Sequence, residues 1–338
     1  MTMNIPITQS KAWGKLQDDL GEKSILITEK NYHVLAIIKH IPTGNYLYCP
    51  YGPCYDDRAG FRGALDSLEK LAREEHAIFI RIEPQDPKFP DYAPKNAKKS
   101  QDLNPKETWL LDLAGTDDEL NAKLPSRLLR YYRGAAKKGI TITKSHNPND
   151  IHYLLDLQRA LAKEKGISTF SEHYLGTELK QPFATLYLVR YSATSTGDAA
   201  WGSPTPARVG EHAAAGPVEG KTADPIEGEV VATGLIFDDG VIRYNLQGAQ
   251  SDEGRKLHAT GILTIQLILD AKAKGLKIFD FWGIAPEGAP DTHPWAGFTN
   301  FKKTFAGYEQ DYAGTYDLVL SPAKYKLYRA MRKVRRMV

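Results

Sequence analysis

Two stretches of this 338-residue chain carry side chains that surface solubility alone does not explain. From Phe279 to Leu320 a strand-like FDFWGI run enters a Pro/Gly-rich loop. It then reaches Gly297-Phe-Thr-Asn-Phe-Lys-Lys-Thr-Phe305-Ala-Gly, which sets Lys302 and Lys303 between aromatic residues. A loop stiffened by prolines, with cations held by apolar neighbours, suits the wall of an active site. The second stretch places Arg127, Arg130, Arg133, Lys137, Lys138 and Lys144 in succession without an acidic residue. Arg127, Arg130, Arg133 and Lys137 recur at helical spacing, with Tyr131 and Tyr132 interleaved. Such a face attracts an anionic partner, the plain alternative being a solvated helix face.

Other chemistries find little support. Cys49 and Cys54, the only two cysteines, sit in YCPYGPC, which lacks the CxxC spacing of redox and zinc sites. The nine histidines are scattered, with no HExxH, so neither a metal nor another cofactor is expected. With 42% hydrophobic and 25% charged residues, the chain can bury two cores. No apolar run approaches the ~18 residues of a membrane span, and MTMNIPITQSKAWGKLQ does not read as a signal peptide. A cytoplasmic protein is expected, and its basic C-terminus suits either an RNA or the anionic inner face of the membrane, where the protein would sit peripherally.

The elements that must position these residues repeat. Asn45–Pro50 reads as a strand, GPCYDD as a turn, Phe61–Glu75 as a helix and AIFIRIEP as a second strand. Two hundred residues later, Val241–Leu246, a Gly/Asp/Ser turn, a helix with Ile265, Ile268 and Ala271, and KIFDFWGI give the same order. Even Ile78-Phe79 and Ile278-Phe279 fall in step. This period is too long for a solenoid and predicts two similar α/β domains. The boundary is expected near residue 145, after a basic helix (Ser126–Lys138) capped by Gly139. Between two strand-like runs, Tyr191–Gly228 is Ala/Gly/Ser/Thr/Pro-rich and reads as a flexible insertion. The C-terminal segment Pro322–Val338 reads as a helix with Tyr325, Leu327, Tyr328, Met331 and Val334 in one apolar stripe.

The Phe279–Leu320 segment resembles the signature of the FemABX family, a D-x-x-G-I strand leading to an F-K-x-x-F-G-G-like element. The likeness continues through Gln9…Trp13, YGP at Tyr51–Pro53, IRIEP at Ile80–Pro84, SRLLRYYRGAAKKGITI, EKGIS…Tyr174 and LSPAKYKLYR. It implies an α/β (α+β) fold of two tandem GNAT-like domains with mixed sheets flanked by helices. Residues 1–145 plus 308–338 would form the first, and 146–307 the second with its insertion at 191–228.

The implied activity is transfer of an amino acid from aminoacyl-tRNA, the co-substrate, to the stem-peptide amine of a peptidoglycan precursor, lipid II or UDP-MurNAc-pentapeptide. Lys302 matches the lysine that would stabilise the developing oxyanion, with Lys303 as the adjacent alternative and Phe301 shaping the acceptor channel. Glu83 aligns with an acidic position of the family, although Arg81 could pair with it as a strand-end contact. Ser168 and Tyr174 match precursor contacts, but Phe170 stands where an arginine would grip the nucleotide pyrophosphate, which leaves a lipid-linked acceptor open. Tyr244 is a further substrate contact, with core packing as its alternative. Arg127, Arg130, Arg133, Lys137 and Lys138 would meet tRNA phosphates. No side chain stands out as a general base, in keeping with proton transfer by the substrates themselves.

Two other functions compete. An acetyl-CoA-dependent GNAT enzyme would need an R-x-x-G-x-G/A pyrophosphate loop, which QSDEGRKLHATG does not supply. A non-catalytic RNA- or membrane-binding protein is the other, since Ala306-Gly307 stands where two glycines are common.

Overall fold

The computed structural model describes residues 3–165, 169–193 and 228–335. Its first part runs through α1 (Lys11–Asp19), β1 (Lys23–Thr28), β2 (Tyr32–Ile41), β3 (Gly44–Cys49) and β4 (Cys54–Tyr55). Next come α2 (Arg58–Glu74), β5 (Ala77–Ile82) and β6 (Ala97–Lys99). A second part holds β7 (Glu107–Asp112), α3 (Asp117–Lys123), α4 (Ser126–Arg133), β8 (Ile140–Ser145), α5 (Ile151–Lys165) and α6 (Glu172–Leu179). It continues with β9 (Ala184–Tyr191), β10 (Glu229–Asp238), β11 (Ile242–Gln250), α7 (Asp252–Lys256), α8 (Ala259–Ala273) and β12 (Ile278–Gly283). The chain closes through α9 (Ala296–Lys303), β13 (Tyr308–Asp311), β14 (Tyr316–Val319) and α10 (Pro322–Arg335).

Two seven-stranded mixed sheets result. The first has the order β1-β2-β3-β5-β14-β6, with β4 on β2; the second is β13-β7-β12-β11-β10-β9-β8. Each contains one of the repeated units: β3 pairs parallel with β5 across α2, and β11 pairs parallel with β12 across α8. A parallel pair needs a crossover helix, and both helices supply one. Asp57 caps α2 by accepting from the Gly60 N–H, while Gly275, at a φ of 78°, follows the end of α8. Ile262, Leu263, Ile265, Leu267 and Ile268 are all buried, so α8 is enclosed on most sides.

The sheets divide the chain differently from the expected boundary near 145. Segment 107–145 belongs to the second sheet: β7 lies between β12 and β13, β8 forms the far edge, and Leu111, Leu120 and Leu129 pack into the core around α8. Residues 308–311 also stay there as β13, so the return to the first sheet begins only at β14. Alternating apolar residues establish that a strand is half-buried but not which sheet it joins.

The domains share a core. In β2, Val34, Ala36 and Ile38 face α2, while Leu35 and Ile37 join Trp13 of α1 against Leu175, Leu235 and Phe237 of the second part. Trp13 stacks on Phe183 at 6.4 Å between ring centroids and meets Phe237 edge-on at 6.1 Å. Strands β9 and β10 pair antiparallel from Tyr191↔Glu229, but most of the expected insertion lies outside the described residues.

The C-terminal apolar stripe splits in two. Tyr325 is buried and Tyr328 half-buried against Phe79, whereas Leu327 and Met331 are exposed on the other side; the side chain of Val334 lies outside the described residues.

Candidate active site

The pairing of β11 with β12 stops after Tyr244↔Asp280. Beyond it the strands part toward their carboxyl ends, where open α/β sheets form binding crevices. A cavity of about 170 Å³ lies there, lined from the second part by Tyr244, Asp280, Trp282, Tyr308 and Tyr312, and from the first by Asn4, Pro6, Tyr51 and Gln85. Both domains therefore build it.

Asp280 is the sole charged side chain among the described lining residues, and it is 3% exposed. Burial pushes its carboxyl up to about 7, opposed by the Trp282 N–H, which donates to Oδ1 at 2.7 Å, and by the charge of Lys302. The β12–β7 register shifts between Asp280 and Gly283, and Trp282 within that shift adopts a φ of +67°. Strain of this kind at a bulge re-aims a side chain. Across the cavity Tyr51 is also left-handed, at φ +49°, and its ring meets Trp282 perpendicularly at 5.7 Å. The Tyr51 hydroxyl donates to the Pro105 carbonyl at 2.7 Å and that of Tyr244 to Asp239 at 2.8 Å.

Lys302, at the end of α9, is half-buried, and its Nζ donates to the Gly283 carbonyl at 2.6 Å. Burial pushes its ammonium down to about 8, with Asp280 holding it up. A Cβ at Gly283 would lie 2.7 Å from Pro105 and 3.1 Å from Trp295, so glycine is required by close packing beneath the cavity. The site thus joins a buried carboxylate and a buried ammonium, each with its proton affinity moved toward neutrality.

Residues 218–333, which include Asp280, Gly283 and Lys302, match the model of the FemAB family. This third of the chain is similar to the FemAB family. Among solved structures, the crystal structure of FemX superposes with a TM-score of 0.73 at 17% identity, covering 95% of this chain and 94% of that one. A DUF2156 domain from Agrobacterium fabrum, assigned to a lysylphosphatidylglycerol synthetase, gives 0.58 at 13% identity, covering 97% and 93%. L-PGS from Bacillus licheniformis gives 0.53 at 13%, covering 96% and 92%. At these identities the likenesses establish the shared fold. No curated protein matches the sequence.

The residues expected from sequence separate into groups. Tyr244 lines the cavity, and Lys302 stands outside its lining, near enough to Asp280 for their charges to interact. Phe301 instead packs against the core around α8, its ring 5.5 Å from Phe305. Lys303 points outward, 3.4 Å from Glu309 and over the Trp109 ring.

Glu83 is 2% exposed and does not line the cavity. Its carboxylate accepts from the Tyr48 hydroxyl, the Tyr51 N–H, the Asn104 N–H and side-chain amide, and the Thr315 hydroxyl. Asn104 and Thr315 lie on the two passages of chain between the sheets, so Glu83 fastens both and holds the strained backbone of Tyr51.

Arg81 does not pair with Glu83. Strand register sets Asp317 directly opposite, and the guanidinium donates to it twice, at 2.7 and 2.9 Å. Arg81 is buried in this pair and does not line the cavity either.

Tyr174 sits on α6, buried by neighbours with its hydroxyl on Glu178, and stacks at 5.1 Å on exposed Phe170. Ser168 lies outside the described residues. Arg127, Arg130, Arg133, Lys137 and Lys138 are all exposed on α4 and the turn that follows. Arg127 donates to the Tyr131 hydroxyl at 2.8 Å, Arg130 and Lys138 lie near the same ring, and Tyr131 stacks on His258 at the start of α8.

The residue that sequence reasoning passed over is Asp280. Its signal was present as the aspartate of D-x-x-G-I, but an aspartate in FDFW gives no hint of being buried beside a lysine 22 positions later.

Proposed function

We propose that the chain is an aminoacyltransferase that moves an amino acid from aminoacyl-tRNA to the stem-peptide amine of a peptidoglycan precursor, without a bound cofactor. The observation that carries this reading is Asp280 in the aromatic cavity where β11 and β12 part, with the charge of Lys302 close enough to act on it. The match of residues 218–333 to the FemAB family model supports the substrate class.

The reaction needs a neutral amine, although a free alkylamine has a pKa of ~10.4. Asp280, its carboxylate accessible to protons near neutrality, accepts one from the acceptor ammonium. The freed amine attacks the ester carbonyl, and the carbonyl oxygen gains negative charge. Lys302 supplies the cation that stabilises it, an effect of ~3 to 4 kcal/mol for a single contact of this type. On collapse the acyl–oxygen bond breaks, and the extra proton on the attacking nitrogen passes to the departing oxygen. The tRNA leaves with its hydroxyl restored, the new amide stays on the precursor, and Asp280 returns its proton to solvent.

The exposed cations of α4, gathered around Tyr131 beside the start of α8, fit a phosphate-contacting face for the tRNA. Phe170, standing where an arginine would grip a nucleotide pyrophosphate, favours the lipid-linked over the UDP-linked acceptor.

The test is transfer of labelled alanine, serine or glycine from charged tRNA to lipid II and to UDP-MurNAc-pentapeptide, comparing wild type with Lys302→Ala. Transfer that falls about 100- to 1,000-fold in the variant supports the assignment. Absence of transfer with every pair, while tRNA still binds, removes it in favour of a binding protein.

A further inference from the structure

Helix α10 has two apolar faces, and the fold uses only one. Tyr325 and Tyr328 turn inward, their rings 5.3 and 5.1 Å from Phe79, and Tyr325 donates to the buried Asp317 at 2.8 Å. The helix is thereby fixed to β5 and β14 as a rigid element.

On the outer face Leu327 is 56% exposed and Met331 38% exposed. At 3.6 residues per turn, Ala323, Leu327, Ala330 and Met331 fall in one stripe. Lys326 and Lys333 border that stripe on one side and Lys324 on the other, all three exposed and, among the described residues, without an acidic partner. From Pro322 to Arg335 the sequence contains no aspartate or glutamate.

An aliphatic stripe flanked by lysines on both sides suits a helix lying in a lipid interface, where methylene stems cover the apolar boundary while ammonium heads reach phosphate. A nucleic acid would be met by the cations alone and would leave Leu327 and Met331 in water. We infer that the outer face of α10 docks the protein on an anionic lipid surface, with Leu327 and Met331 entering the headgroup boundary and Lys324, Lys326 and Lys333 contacting lipid phosphates. This inference does not depend on the reaction proposed above.

Sedimentation of the full chain with phosphatidylcholine vesicles, with and without phosphatidylglycerol, tests it. Wild type should pellet with the phosphatidylglycerol vesicles, remain free with phosphatidylcholine alone, and dissociate as salt rises. At about fivefold per lysine, Lys324→Gln/Lys326→Gln/Lys333→Gln should weaken binding by roughly 100-fold. Leu327→Ser/Met331→Ser, which keeps every charge, should weaken it at least about tenfold.

Equal binding to both vesicle types overturns the inference, as does unchanged vesicle binding by the Leu/Met variant. Binding of bulk tRNA that needs the three lysines, with no vesicle binding by wild type, would assign the face to RNA instead. If a substituted helix melts early, the salt and headgroup dependence of wild type still decides.

Discussion

The two repeated units end in strands that begin alike and then diverge. Phe79 and Phe279 are both fully buried, although Ile78 is buried and Ile278 half-buried at the cavity; Ile80-Arg81-Ile82-Glu83 then continues one strand and Asp280-Phe281-Trp282-Gly283 the other. In β5 the charged side chains are saturated: Arg81 grips Asp317, and Glu83 collects five donors. In β12 Asp280 has one backbone donor and a lysine within Coulombic reach. A buried ion whose hydrogen bonds are complete serves as a strut, whereas one left partly unsatisfied has a proton affinity that a substrate can use. The glycine that takes the place of Glu83 removes the clamp and lets Pro105 and Trp295 close under the cavity.

The contrast is open to direct attack, most strongly at Asp280. Asp280→Asn should lower kcat/KM for aminoacyl transfer by about 100- to 10,000-fold. Its stability should hold or rise at pH 8: a carboxyl whose folded pKa is raised favours the folded state below the unfolded value of ~3.9 and loses that contribution as pH climbs through about 7. A variant that is fully active, or that melts early at that pH, would erase the distinction.

Asp317→Ala should do the reverse. Stranding Arg81 in the core costs about 3 to 5 kcal/mol, read as a lowered denaturant midpoint, with little change in kcat per folded molecule. Glu83→Gln should cost about 1 to 3 kcal/mol, because the amide cannot accept as the carboxylate does from donors that are already committed. Since Glu83 holds Tyr51, its activity should fall through KM more than kcat. A loss confined to kcat would make Glu83 a catalytic group and break the comparison.

The pH profile sharpens it further. As Asp280 loses its proton through about 7 and Lys302 loses its own through about 8, kcat/KM should rise and then fall. Asp280→Asn should abolish the acid limb, and a profile whose acid limb survives that change would assign the base elsewhere.

Much of this was legible beforehand. The recurrence of strand, helix and strand, the Ile-Phe pairs and the D-x-x-G-I to F-K-x-x-F order are local patterns, and they carried the family resemblance, the α/β class and the choice of Lys302 as a candidate. The boundary was missed because β7 and β8 look the same in either sheet. Arg81 and Glu83, two residues apart, looked like partners until strand register brought in a residue from beyond position 300. The C-terminal helix read as one apolar stripe because a helical period reports amphipathicity without saying which half finds a neighbour.

The sequence by itself determined the elements and the kinds of side chain available, because propensity, capping and hydrophobic period act over a few residues. Tertiary structure decided what those side chains became. Burial, register and the parting of two strands act over hundreds of positions, and they made Glu83 a strut and Asp280, beside Lys302, the candidate base.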